Sequence, residues 1–217
     1  MKGTRRIKSI FSSIEQVFKR KWISKIPPNI ETYHLTLLTI VWTVLVLLFY
    51  YIAKFNIQWL WAASLTIVLQ YVTDLFDGAL GRYRKTGLVG WGYYMDHMLD
   101  YVFLCAVLIG FSFLVQDDYK FLFFFILAIC GAFTVHIFLA FAVTRVFKIS
   151  YYSIGPTEVR LGVLFLNTAV IFLGKFFLIL GAPIMITTSL VLLIGVVYKT
   201  QRRIWVLDMK QKRKKTY

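Results

Sequence analysis

Cysteine is scarce in this chain: Cys105 and Cys130 are the only two among 217 residues, and neither has a neighbour at metal-ligand spacing. That excludes a disulfide framework and a thiolate metal site. Both lie in apolar runs and read as small core side chains. The first 25 residues are too charged and too broken to contain a signal-peptide core, so no cleavage is expected. Internal repeats and low-complexity linkers are also missing, which leaves no place for a second domain. Charged residues make up only 16% of the chain against 59% hydrophobic. An ordinary soluble domain is far more polar, so the chain reads as one integral membrane domain.

Acidic residues number ten against 25 Lys and Arg, a net charge of +15. Such an excess can mark nucleic-acid binding, but its distribution argues against that. Eight basic residues lie in 1–30 and eight more in 199–217. Basic tails beside membrane segments set topology and meet anionic headgroups, so membrane lipids are the expected partner and nucleic acid is not.

Spanning a bilayer takes about 20 mostly apolar residues. Six segments qualify, at 33–53, 57–81, 91–115, 121–146, 157–178 and 180–198. Basic residues before, between and after them number eight, one, three, one, three, one and eight. By the positive-inside rule both termini and the loops at 82–87 and 145–160 are cytoplasmic. The fold class is therefore all-α: a polytopic membrane protein with six transmembrane helices.

An N-terminal interfacial amphipathic helix precedes them. Ile7, Ile10, Phe11, Ile14, Val17, Phe18 and Trp22 recur at helical spacing over residues 5–23, with Arg5, Arg6, Lys8, Lys19, Arg20 and Lys21 mostly opposite. Pro27 and Pro28 end it. The expected organisation is an amphipathic helix in 1–26, a six-helix domain in 27–198 and a basic cytoplasmic tail in 199–217, the tail partly disordered. Pro183, after Gly181, is expected to start the sixth helix.

The chemistry concentrates between Asp74 and Asp100. Asp74 and Asp77 are spaced i, i+3, and Asp96 and Asp100 i, i+4, so each pair shares a helix face. All four sit at the ends of apolar runs, where a charged Asp costs about 2.5–3.5 kcal/mol on insertion scales. Only Arg82 lies close by in sequence, so a divalent cation is the natural counter-charge. Oxygen-only ligation suits Mg²⁺ or Mn²⁺ better than zinc. The site opens to the cytoplasm.

As a pattern the stretch reads D-x2-D-G-x2-G-R-x9-G-x3-D-x3-D, with Gly78, Gly81, Arg82 and Gly92 between the acids. It strongly resembles the signature of the CDP-alcohol phosphotransferases. Gly81 departs from that signature, where Ala is usual, and keeps the position small. The resemblance implies transfer of a substituted phosphate from a CDP-alcohol donor to an alcohol or lipid acceptor, with release of CMP. Under it Asp74, Asp77, Asp96 and Asp100 are metal ligands for two ions, and Asp100 is also the general base. Gly78 and Arg82 are implied to bind the donor. Homodimers are common in that family.

Weaker motifs accompany the main one. Pro28, Asn29 and Thr32 resemble the family's segment before the first membrane helix, where it helps hold cytidine, although either Asn29 or Thr32 also suits an N-cap. Gly155, Pro156, Thr157 and Glu158 resemble the choline and ethanolamine branch, as does His97 after Asp96. Glu158 is thus expected to line the site, with helix capping as the competing reading. His97 points about 100° away from Asp96 and reads as a packing residue. Lys148 and Arg160 are the cations able to clamp an anionic acceptor. Three other readings stand beside a headgroup donor: CDP-diacylglycerol as donor to a polar alcohol, an ion or proton transporter using intramembrane carboxylates, and an inactive scaffold.

Overall fold

A computed structural model describes residues 12–147 and 155–215, and among these every regular element is helical. Helix α1 covers Ser12–Trp22, α2 Thr32–Ala53, α3 Leu60–Arg84, α4 Val89–Ser112, α5 Lys120–Thr144, α6 Pro156–Leu173 and α7 Phe176–Lys215. All but α1 are long and apolar enough to cross a membrane, which makes this an integral multi-pass membrane protein. Arg5, Arg6, Ile7, Lys8, Ile10 and Phe11 of the expected amphipathic helix, and Lys148, lie outside the described residues.

Helix α2 is the central packing element. Its buried stripe, Thr32, Thr36, Thr39, Thr43, Val46, Tyr50 and Ala53, repeats every three or four residues and is mostly small. Small side chains let neighbouring backbones approach, and α2 packs on both α3 and α4. Toward the end opposite the carboxylates the stripe gives way to an apolar core of Tyr50, Leu60, Phe103, Phe111 and Phe123. A side chain at Gly110 would collide with the Tyr50 ring, so glycine admits the tyrosine against α4. The Tyr50 hydroxyl donates to Asn167 Oδ1 at 2.8 Å, and Asn167 Nδ2 donates to Ser64 Oγ at 3.0 Å. That buried chain of bonds joins α2, α6 and α3, where unpaired polar groups would be costly.

Three boundaries differ from expectation. The turn before the last helix falls at Gly174, whose φ of 87° only glycine adopts readily, rather than at Gly181. Pro183 lies inside α7. It removes one backbone hydrogen bond, which membrane helices tolerate, while Leu178 and Ala182 around it are buried. The tail expected to be partly disordered continues α7 as helix to Lys215, because no Gly or Pro interrupts it after Gly195. Helix α3 runs through Arg84 and stops at Lys85 in the left-handed conformation, so Arg82 belongs to a helical turn, not a loop.

The start of α2, end of α3, start of α4 and start of α6 share one end of the bundle, and α1 lies across it. Phe18 packs on Phe76 of α3 with ring centroids 5.7 Å apart. Glu15 accepts hydrogen bonds from the hydroxyls of Tyr71 and Thr157, each at 2.8 Å. The linker after α1 is gripped by Arg84, which donates to the carbonyls of Ile26, Pro27, Pro28 and Ile30. Arg84 therefore clamps the chain entering α2. Ile14 and Val17 of α1 stay exposed, as apolar side chains directed at lipid would require.

Candidate active site

Asp74 comes from the last part of α3, and Asp96 and Asp100 from successive turns of α4. The three carboxylates each offer an oxygen, and these oxygens lie within 4.8 Å of one another. Asp77 is not in this group. One turn further along α3, it is buried and turned to α2, where the Thr36 hydroxyl donates to its Oδ2 at 2.5 Å. Of four carboxylates expected to converge, three do so and the fourth is held beside them.

Their counter-charge comes from the start of α6, which the sequence offers only as a site-lining segment and a clamp for an anionic acceptor. Arg160 on α6 places Nη2 2.9 Å from Asp74 Oδ2 and 3.2 Å from Asp100 Oδ1. Its guanidinium also lies over the Tyr71 ring, 5.4 Å from the centroid. Gln70, one turn before Asp74, donates its amide to Asp100 Oδ1 at 3.1 Å. Neither residue was expected in contact with the acids. For Gln70 there was a signal, an amide within an apolar run at i−4 from Asp74. Arg160 was legible only as a cation for an anionic acceptor, not as a partner of the acids.

The remaining candidates take distinct positions. A Cβ on Gly78 would stand 3.2 Å from Nη1 of Arg82, so the arginine folds back along α3 into space that glycine leaves open. A Cβ on Gly81 would stand 3.0 Å from both Gly87 Cα and Thr32 Cγ2. Thr32 is thus buried at the α2–α3 contact, while Asn29 is exposed in the preceding turn. Neither caps α2. Glu31 does so, with His34 Nδ1 accepting from the Glu31 backbone N–H at 3.0 Å. Glu158 accepts from the Gly155 N–H at 2.8 Å and closes the start of α6, which satisfies an otherwise orphaned donor. His97 accepts no metal-like position. Its Nδ1 lies 2.8 Å from the Tyr93 carbonyl oxygen, and its ring packs among Tyr93, Phe138 and Phe147.

Three carboxylates with only oxygen to offer, facing one cation, fit a hard divalent ion. Arg160 alone does not balance them. The oxygens come from two helices whose spacing is held by the packed α2 stripe, so the group is pre-formed rather than assembled by a flexible loop.

No curated protein and no solved structure gives a significant match to this chain. The family profile described as CDP-alcohol phosphatidyltransferase matches residues 30–200, from the turn before α2 to the cytoplasm-expected part of α7, and so takes in the whole carboxylate site and Arg160. The chain belongs to the CDP-alcohol phosphatidyltransferase family, membrane-embedded transferases of phosphate-containing groups in phospholipid biosynthesis.

Proposed function

We propose that this protein transfers a substituted phosphate from a CDP-alcohol to an acceptor hydroxyl and releases CMP. The observation that carries the reading is the convergence of Asp74, Asp96 and Asp100 at one end of a membrane bundle, with Arg160 between two of them. The transferase family makes group transfer, rather than an ion relay or an inert scaffold, the fitting use of these acids.

Asp74, Asp96 and Asp100 would hold Mg²⁺ or Mn²⁺, with Asp77 contributing a further carboxylate from the same helix. The chemistry such ions supply when bound is neutralisation of pyrophosphate charge and stabilisation of an in-line displacement. Asp100 takes the proton of the acceptor hydroxyl as its oxygen forms the new P–O bond. The bond from phosphorus to the bridging oxygen breaks, and CMP leaves with that oxygen. Arg82, lying along Gly78, is placed to meet the donor's phosphates as they approach α3. Thr36 keeps the Asp77 carboxylate oriented in an environment too dry for it to stay unpartnered. Asn29, Thr32 and Glu158 border the same end of the bundle, where the nucleotide and acceptor would enter. The site is cytoplasmic on the distribution of basic residues, with both termini on that side.

A CDP-linked headgroup donated to a diacylglycerol-like acceptor fits better than an anionic acceptor. Arg160 is engaged by two carboxylates and is not left over to clamp a second phosphate. The deciding experiment offers radiolabelled diacylglycerol with CDP-choline or CDP-ethanolamine, and separately CDP-diacylglycerol with a panel of polar alcohols, each with Mg²⁺ or Mn²⁺. Product in the first set is expected. Product only in the second reverses the donor assignment, and no CMP release in either removes the transferase reading.

A further inference from the structure

Gln70 is fully buried in an apolar stretch of α3, yet among the described residues only one of its two polar side-chain atoms has a partner. Its Nε2 donates to Asp100 Oδ1 at 3.1 Å, while among the described residues Oε1 has no donor. The assignment of nitrogen and oxygen follows from chemistry, since a carboxylate repels an amide oxygen and accepts from an amide nitrogen. A buried amide with an unsatisfied oxygen costs about 1–3 kcal/mol relative to a well-partnered one. An apolar side chain of the same volume would avoid that cost. Packing therefore does not explain glutamine at this position.

The geometry at Asp100 does explain it. Two donors, Gln70 from α3 and Arg160 from α6, meet the same oxygen, Oδ1. Contacts from two different helices fix the plane of the carboxylate through Oδ1 and leave the lone pairs of Oδ2 for the acceptor hydroxyl and the ion that Asp100 would share. Arg160 is shared with Asp74 and cannot by itself set the orientation of Asp100. Among the described residues Gln70 has no such second partner on its amide nitrogen, and it orients without adding charge.

We propose that Gln70 is a positioning residue for Asp100, holding Oδ1 so that Oδ2 faces the acceptor hydroxyl. The inference rests on Asp100 being the proton acceptor, as argued above. Gln70 sits four residues before Asp74, so one helical face of α3 supplies both a ligand carboxylate and the orienting group for the base on α4. The role is geometric. It predicts an effect on turnover that stability does not share.

The test uses the full-length protein in detergent with Mg²⁺, following CMP release from CDP-choline, CDP-ethanolamine and CDP-diacylglycerol with their acceptors. Gln70→Met conserves volume and removes the donor. It is expected to lower kcat about 10- to 100-fold, the range in which misplaced catalytic groups fall, with KM for the donor unchanged and Tm unchanged or raised. Gln70→Asn keeps an amide but withdraws it by one methylene, and should lose kcat in the same way. Wild-type kcat in both variants overturns the proposal, and so does a loss of kcat that only accompanies a fall in Tm. Asp100→Asn run alongside separates the two claims. An inactive Asp100→Asn beside fully active Gln70 variants overturns the positioning role alone, whereas an active Asp100→Asn overturns both.

Discussion

Arg160 Nη2 stands 2.9 Å from Asp74 Oδ2, tying the start of α6 to the end of α3 across the mouth of the carboxylate group. Both side chains are largely shielded, so the pair is not an ordinary surface ion pair. Removing one partner of a buried pair typically costs about 3–5 kcal/mol because the other charge is left behind. Arg160→Leu is therefore expected to lower Tm sharply in EDTA. Added Mg²⁺ should restore part of the loss, since the cation supplies charge of the same sign. Equal Tm values for the variant with and without Mg²⁺ would show that the acids do not share a cation.

Asp100→Asn should abolish turnover while leaving the fold and CDP-alcohol binding in place. The substitution removes the base and is nearly isosteric, and Asp74, Asp77 and Asp96 remain. Normal CMP release in that variant would refute the assignment of the base.

Asp77→Ala should lose stabilisation by Mg²⁺ together with CDP-alcohol. Its loss also removes the bond from the Thr36 hydroxyl, which keeps the Thr32 carbonyl as acceptor at 3.2 Å, at a cost of about 0.5–1.5 kcal/mol. A thermal-shift assay separates the effects, because the second lowers Tm with or without ligand. The same ligand-dependent gain in Tm as wild type would place Asp77 outside the ligand set.

Glu15→Gln tests how α1 is held. The carboxylate accepts from Tyr71 and Thr157 at once, and hydrogen bonds to a charged acceptor contribute about 1.5–3 kcal/mol each. Weakening both should speed backbone amide exchange in Ser12–Trp22 by about tenfold or more, with α2 to α4 unaffected. Unchanged exchange in that helix would mean that Phe18 and the Arg84 clamp hold it without Glu15.

Gly81→Ala should destabilise by about 1–3 kcal/mol, the usual range for overpacking. The added Cβ would press on the Gly87 backbone and Thr32 at 3.0 Å. Alanine is usual at this position in the signature, so the sequence alone suggests a harmless change. Thermal unfolding that matches wild type would show that the α3–α4 turn yields.

The membrane character, the number of spans, the family and the position of the acids were legible in sequence because each depends on local information. Apolar length sets a span, and the spacing of Asp74, Gly78, Arg82, Gly92, Asp96 and Asp100 is a property of two adjacent helices and their turn. Even there the ends were misjudged, since proline at 183 was read as a start signal when tertiary packing around Leu178 and Ala182 carries the helix through it. Only the tertiary structure decided which groups meet. Helix periodicity puts Asp74 and Asp77 on one side of α3, but it cannot say that Asp74 joins α4 while Asp77 turns to Thr36 on α2. It cannot bring Arg160 to Asp74 or Glu15 to Thr157, because those contacts join helices far apart in the chain, and it does not say that Gln70 faces Asp100 on the next helix. Their neighbours are chosen by how the small-residue face of α2 lets α3 and α4 close, and by where α6 then finds room.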